Sequence, residues 1–164
     1  FIFGLLASIL YSYITYFNQF FGSLALNLIY YIPIQIASLI LWFKNTDKSK
    51  KCVTKTNLKL KEFMILTGVF SIISIFTIPA LDFIHDKSPV LDSIILIFSI
   101  LGAYLSAKRA VEQWIVWFVV DFCACLMWFK FTFNNKSAVA PCILWFFYCI
   151  LAVIFYLEWK KELK

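Results

Sequence analysis

The chain reaches Lys44 before it meets its first charged side chain. Other long apolar runs follow, the longest from Ala138 to Leu157. A bilayer-spanning helix needs roughly 20 mainly apolar residues. Six stretches meet that description closely enough to be read as spans: Phe1–Phe17, Ser23–Phe43, Glu62–Ala80, Val90–Ala107, Gln113–Phe129 and Ala138–Leu157. At 63% hydrophobic and 15% charged residues, the sequence has more apolar surface than a soluble domain of this size can bury. The expected fold class is therefore an all-α integral membrane protein. Charge is too sparse for a disordered chain, and no charged heptad marks a coiled coil.

Six spans place successive loops on alternate sides. The Lys44–Lys61 connection, Lys108 and Arg109, and Lys160, Lys161 and Lys164 then share one side. Of the 15 basic residues, only Lys87, Lys130 and Lys136 fall on the other. The positive-inside rule assigns the first side, with the C-terminus, to the cytoplasm. The net charge of +6 is thus a topology signal, and no nucleic-acid partner is expected. Tyr16, Trp42, Trp128, Tyr156 and Trp159 lie near span ends, where such rings favour the headgroup region.

Polar residues recur in register inside the apolar helices. Trp114, Trp117 and Asp121 stand at i, i+3 and i+7, on one helical face. A carboxylate at bilayer depth costs roughly 3 kcal/mol on insertion scales, so Asp121 must face protein or water. Two indoles and an acid on one interior face suit a flat, polar or cationic ring. Asn27, Tyr31, Gln35, Ser38 and Trp42 form a second stripe. Asp92, Ser99 and Ser106 form a third, with Gly102 and Ala103 near it, and Ser8, Ser12 and Thr15 a fourth with Tyr11 close by. Small and hydroxylated positions also serve helix packing. Carboxamides seldom stay unpaired in hydrocarbon, which singles out Asn27 and Gln35. Pro33 removes one backbone hydrogen bond and should kink its helix.

Cys52, Cys123, Cys125, Cys142 and Cys149 read as small packing residues, without metal-ligand spacing. His85 falls in a connection with Asp82, Asp86 and Asp92, and a solvated loop accounts for it. No phosphate loop, nucleophile elbow or metalloprotease motif appears. Neither an enzyme nor a bound cofactor or metal is expected.

Laying Phe1 on Trp114 sets Gly4 on Trp117, Ser8 on Asp121, Ala25 on Ala138 and Gln35 on Tyr148. The first two spans then overlay the last two. The simplest repair of this broken symmetry adds one helix ahead of Phe1, giving three helices, a linker helix and three more. Residues 1–43 would form the first repeat, 44–80 the basic loop with the linker, and 81–164 the second repeat. Duplicated triplets of this kind belong to transporters, with the site at the repeat interface.

Three blocks of the sequence resemble the PnuC family of vitamin transporters, bacterial relatives of the SWEET sugar carriers. Tyr30-Tyr31-Ile32-Pro33-Ile34-Gln35 is similar to that family's Y-I-P-M-Q block. Leu91-Asp92-Ser93 with Ser99 is similar to its L-D-S…S stretch, and Lys108 through Asp121 to its K…E-N-W-x-x-W…D block. The resemblance implies a 3+1+3 helix architecture, here lacking the first helix, and commonly a homotrimer. It also implies facilitated diffusion of nicotinamide riboside across the bacterial inner membrane, trapped inside by a cytoplasmic kinase. Carried over by position, Trp114, Trp117, Gln113, Asp121 and Gln35 are the implied substrate contacts; Tyr31, Asn27 and Tyr148 join them from the stripes and the repeat. Gln113 stands where the family has Asn, and Gly102-Ala103 where it has Gln. Relatives carry thiamine, riboflavin or deoxynucleosides, and the lysine-rich loop would suit a vitamin-binding subunit docking on a larger importer.

Overall fold

The computed structural model describes residues 2–36, 56–133 and 136–162. Ser38, Trp42, Cys52, Lys164 and the basic loop from Lys44 to Lys55 lie outside these residues, and with them the expectations placed there. The regular elements among the described residues are all helices, apart from an isolated bridge between Thr56 and Ala110. The helices are α1 (Ile2–Phe17), α2 (Phe21–Ile36), α3 (Leu60–Phe83), α4 (Pro89–Ala107), α5 (Gln113–Thr132) and α6 (Val139–Glu162). A single 3-10 turn, Lys136–Ala138, leads into α6. The helices α3 to α6 are each long and apolar enough to cross a membrane, whereas α1 and α2 are apolar but shorter as described. Each of the six expected spans overlaps one of these helices; the end expected for the second, at Phe43, lies outside the described residues.

The helices stop in a repeated way. Gln19, His85 and Arg109 adopt left-handed φ values of 59°, 60° and 57°. In each case the next residue's N–H reaches back five residues: Phe20 to Thr15 at 3.0 Å, Asp86 to Leu81 at 3.0 Å, Ala110 to Leu105 at 3.0 Å. These are the wide bonds of Schellman closures, which satisfy carbonyls that a helix end leaves open. His85 thus serves as the residue that turns the chain out of α3.

Two carboxylates then start α2 from a distance. Asp86 Oδ2 accepts the Phe21 N–H at 2.6 Å, and Asp92 Oδ2 accepts the Ser23 N–H at 2.8 Å. The Ser23 hydroxyl also donates to Asp92. The open N–H groups of a helix start attract negative charge, so the α3–α4 connection and the first turn of α4 hold α2 in place. The close approach needs Gly22, because a Cβ there would lie 2.8 Å from Asp92 Oδ2. Inside α2 the backbone passes through a π-helical stretch, Leu26–Tyr31, and the Ile32 N–H bonds the Asn27 carbonyl. The kink expected at Pro33 is therefore taken up one turn earlier, as a widened turn, a common feature of helices at functional sites.

α4 lies at the centre, packing against α2, α3 and α5, while α5 also packs on α6. Ser93 of α4 donates to the Ser74 carbonyl at 2.6 Å and meets the Thr77 hydroxyl, which fastens α3. Otherwise α3 buries little and turns Met64, Ile65, Ile72 and Phe76 outward, as a lipid-facing helix does. Trp128 is not the interfacial anchor its position near a span end suggested. It is fully buried, with Phe20 edge-on at 5.0 Å, because its face of α5 meets α1 and the start of α2.

Candidate functional site

One cavity of about 470 Å³ opens between the α1–α2 pair and the α5–α6 pair. That volume falls within the roughly 300–1,000 Å³ of small-molecule sites. The structure brings together Trp114, Trp117 and Asp121 from α5, Asn27, Tyr31 and Gln35 from α2, and Tyr148 from α6. Ser8 and Tyr11 of α1 and Trp145 and Phe155 of α6 complete the polar and aromatic part of the wall. Seven of the eight expected site residues therefore share one space.

Gln113 is the exception. It is buried, at 4% exposure, and does not line the cavity. At about 100° per residue, Gln113 lies beyond Trp117 on the helical wheel, on the side turned towards α4. The departure from the family pattern at this position therefore stands outside the cavity. The departure at Gly102 has a direct consequence, since a Cβ there would lie 2.9 Å from Cε2 of Trp117. The missing side chain makes room for the indole. Trp117 Nε1 then donates to Ser106 Oγ at 3.2 Å, and Ser106 Oγ donates to the Gly102 carbonyl at 2.8 Å. Trp117 is held flat against α4 by a glycine and a serine four residues apart.

The remaining groups present unused hydrogen-bonding capacity. Gln35 Nε2 donates to Ser8 Oγ at 2.9 Å, leaving Oε1 buried without a partner. Asn27 Nδ2 gives one N–H to the Ser23 carbonyl at 2.8 Å, which leaves its second N–H and its oxygen to offer. Trp114 packs against Phe155 at 4.8 Å and Trp159 at 5.5 Å, while its Nε1 is buried and unpaired. Asp121 is buried, at 7% exposure. No hydrogen bond reaches its carboxylate among the described residues, and no Lys, Arg or His among them lines the cavity. Unpaired buried polar groups are rare, because each carries a desolvation penalty of about 1–3 kcal/mol. Several around one cavity point to a polar ligand that satisfies them.

Sequence reasoning did not find Trp145, and it placed Tyr11 only near a stripe. Tyr11 joins three helices: Trp128 Nε1 and Trp145 Nε1 both donate to its hydroxyl, at 2.9 and 3.2 Å. The recoverable signal for Trp145 is its place one turn before Tyr148 on α6. Among the described residues no group of three or more His, Cys, Asp or Glu could hold a metal ion.

The profile of a family described as "Nicotinamide mononucleotide transporter" matches residues 1–161. A "Nicotinamide riboside transporter PnuC" of Neisseria mucosa is 26% identical over an alignment covering 100% of this chain and 64% of that protein. The protein of the same description from Haemophilus influenzae is 24% identical, with 99% of this chain and 70% of that one covered. This chain thus spans just under two thirds of the length of the Neisseria relative. A solved structure described as "Crystal structure of the Vitamin B3 transporter PnuC" superposes with a TM-score of 0.76 at 25% identity, over 98% of this chain and 70% of that one.

Proposed function

The chain belongs to the nicotinamide mononucleotide transporter family, and from that membership we propose that it carries nicotinamide riboside across a membrane by facilitated diffusion. It is an all-helical, multi-pass membrane protein and not an enzyme. The observation that carries the choice of substrate is the charge of the cavity. Its walls hold one carboxylate, Asp121, three indoles and no basic side chain among the described residues. A pyridinium ring is flat and cationic, and stacking on indole is worth about 2 kcal/mol or more when desolvated. A phosphate monoester would meet Asp121 with no cation to balance it. The riboside is thereby favoured over the mononucleotide of the family's description, in keeping with the printed names of the two relatives.

In this reading the Trp117 face stacks on the pyridinium ring, Asp121 supplies negative potential, and Gln35 and Asn27 accept hydrogen bonds from the carboxamide or ribose. Tyr31, Tyr148 and the Trp114 N–H bound the remaining space. Gln113 acts indirectly, through the α4–α5 corner. In this proposal α1 and α2, within residues 1–43, are two helices of a first repeat, α3 is the linker, and α4 to α6, within 81–164, form the second triplet, in the SWEET manner. Rocking of one against the other would expose the site alternately. The excess of basic residues on one side supports a cytoplasmic C-terminus in a bacterial inner membrane. A homotrimer, and a cytoplasmic kinase that traps the product, complete the proposal by analogy with the family.

Uptake of radiolabelled nicotinamide riboside by proteoliposomes tests it. Saturable uptake that Trp117→Ala reduces at least tenfold is the expected result. Uptake no faster than in protein-free liposomes would overturn it, and preferred uptake of thiamine, riboflavin or a deoxynucleoside would reassign the substrate.

A further inference from the structure

Resting on the reading of the cavity as a nucleoside site, we propose that Tyr11 is a further ligand-binding residue, whose hydroxyl donates a hydrogen bond to an oxygen of the ligand. A hydroxyl ordinarily rotates to suit its neighbours and can act either way. Here its polarity is fixed. Both of its partners are indole N–H groups, Trp128 at 2.9 Å and Trp145 at 3.2 Å, and an indole N–H donates but never accepts. The phenol oxygen is therefore the acceptor in both bonds, and its own proton must go elsewhere.

Among the described residues no acceptor takes that proton, and Tyr11 lines the cavity. The ring is in turn fixed, with Trp145 edge-on at 5.6 Å and Trp128 at 6.1 Å. A positioned donor without an acceptor in a buried site carries a desolvation penalty that a ligand oxygen relieves. Gln35 supplies the opposite polarity, since its Oε1 is buried with no partner while Nε2 donates to Ser8. The cavity thus demands an acceptor at Tyr11 and a donor at Gln35. A carboxamide or a ribose hydroxyl can meet such a demand, and a hydrocarbon ring cannot.

The test pairs protein variants with ligand variants. Dissociation constants of purified protein would be measured for nicotinamide riboside, its 2′-, 3′- and 5′-deoxy forms, and the pyridine riboside lacking the carboxamide. In Tyr11→Phe, affinity for nicotinamide riboside should fall about five- to tenfold, the range for one neutral hydrogen bond. One analogue, lacking the oxygen that Tyr11 meets, should bind both proteins equally well. Trp128→Phe, which breaks the same buried network outside the cavity, should keep the wild-type ranking of ligands. The proposal is overturned if Tyr11→Phe weakens every ligand by one common factor or none at all, or if Trp128→Phe levels the ranking in the same way. Wild-type protein that binds none of the five would overturn the nucleoside reading and this proposal with it; wild-type binding with an indifferent Tyr11→Phe overturns the role of Tyr11 alone.

Discussion

Gly102 of α4 lies so close beneath the Trp117 indole that a Cβ in its place would sit 2.9 Å from Cε2 and 3.1 Å from Cζ2. The atoms in the way belong to a side chain, so Gly102→Ala should shift the indole and leave the helices where they are. Alanine in mid-helix is better than glycine by about 1 kcal/mol, so the variant should unfold no lower than the wild type. Its affinity for nicotinamide riboside should fall about tenfold as the stacking face moves. Thermal unfolding together with binding reads both effects; unchanged affinity would show that the indole face is not used.

Asp121→Asn keeps the shape of the side chain and removes its charge. A buried carboxylate without a hydrogen-bond partner is a burden on the fold, on the order of 3 kcal/mol at bilayer depth, so the variant should melt higher. Binding of the cationic riboside should weaken by on the order of tenfold, since a close charge pair of low solvent access is lost. The reduced, uncharged form of the same nucleoside should lose little. Equal losses for the two ligands would remove Asp121 from its electrostatic role.

The apolar spans and the Trp114–Trp117–Asp121 face were legible because each follows from spacing along one helix. Gln35 and Asn27 were legible as well, as polar side chains where hydrocarbon would leave them unpaired, and Tyr148 as the repeat counterpart of Gln35. Tyr11, Trp128 and Trp145 were not. Aromatic residues in an apolar span read as packing or as interfacial anchors, and the bonds joining these three run between residues more than a hundred positions apart. Asp92 was seen as a member of a stripe, yet its partner is the backbone of another helix, and no periodicity on α4 encodes that. The place of Gln113 was hidden for a related reason. It lies next to the informative residues in sequence, but the rotation of α5 carries it past Trp117 and out of the cavity.

Asp92 should behave in the opposite way to Asp121. Its carboxylate takes the Ser23 N–H at 2.8 Å and the Ser23 hydroxyl at the start of α2, and it does not line the cavity. Asp92→Ala leaves both donors unpaired in a fully buried place, a loss of about 1–3 kcal/mol or more. Gly22→Ala should destabilise too, because its Cβ would meet both the carboxylate and the Asp92 backbone. Both variants should melt lower, while the folded fraction binds ligand with wild-type affinity. A wild-type melting temperature for Asp92→Ala would disprove the capping role.

Pro33 links the backbone of α2 to the cavity. Having no N–H, it cannot bond the Ile29 carbonyl, and its ring crowds the same group. The preceding turn is widened over Leu26–Tyr31, with the Ile32 N–H bonded to the Asn27 carbonyl five residues back. Pro33→Ala restores the donor and lets the helix close to four-residue bonding. Removing the extra residue of a widened turn rotates everything beyond it by about 100°. That rotation would carry Gln35 away from Ser8, to which it now bonds at 2.9 Å, and would change how α2 meets α1. Pro33→Ala should therefore lower the uptake rate in proteoliposomes by tenfold or more while the protein stays folded. Gln35→Leu in the same background should add little further loss, because the contact it removes is already gone. A full second loss from Gln35→Leu would show that Gln35 keeps its place without the widened turn, and that Pro33 acts elsewhere in the cycle.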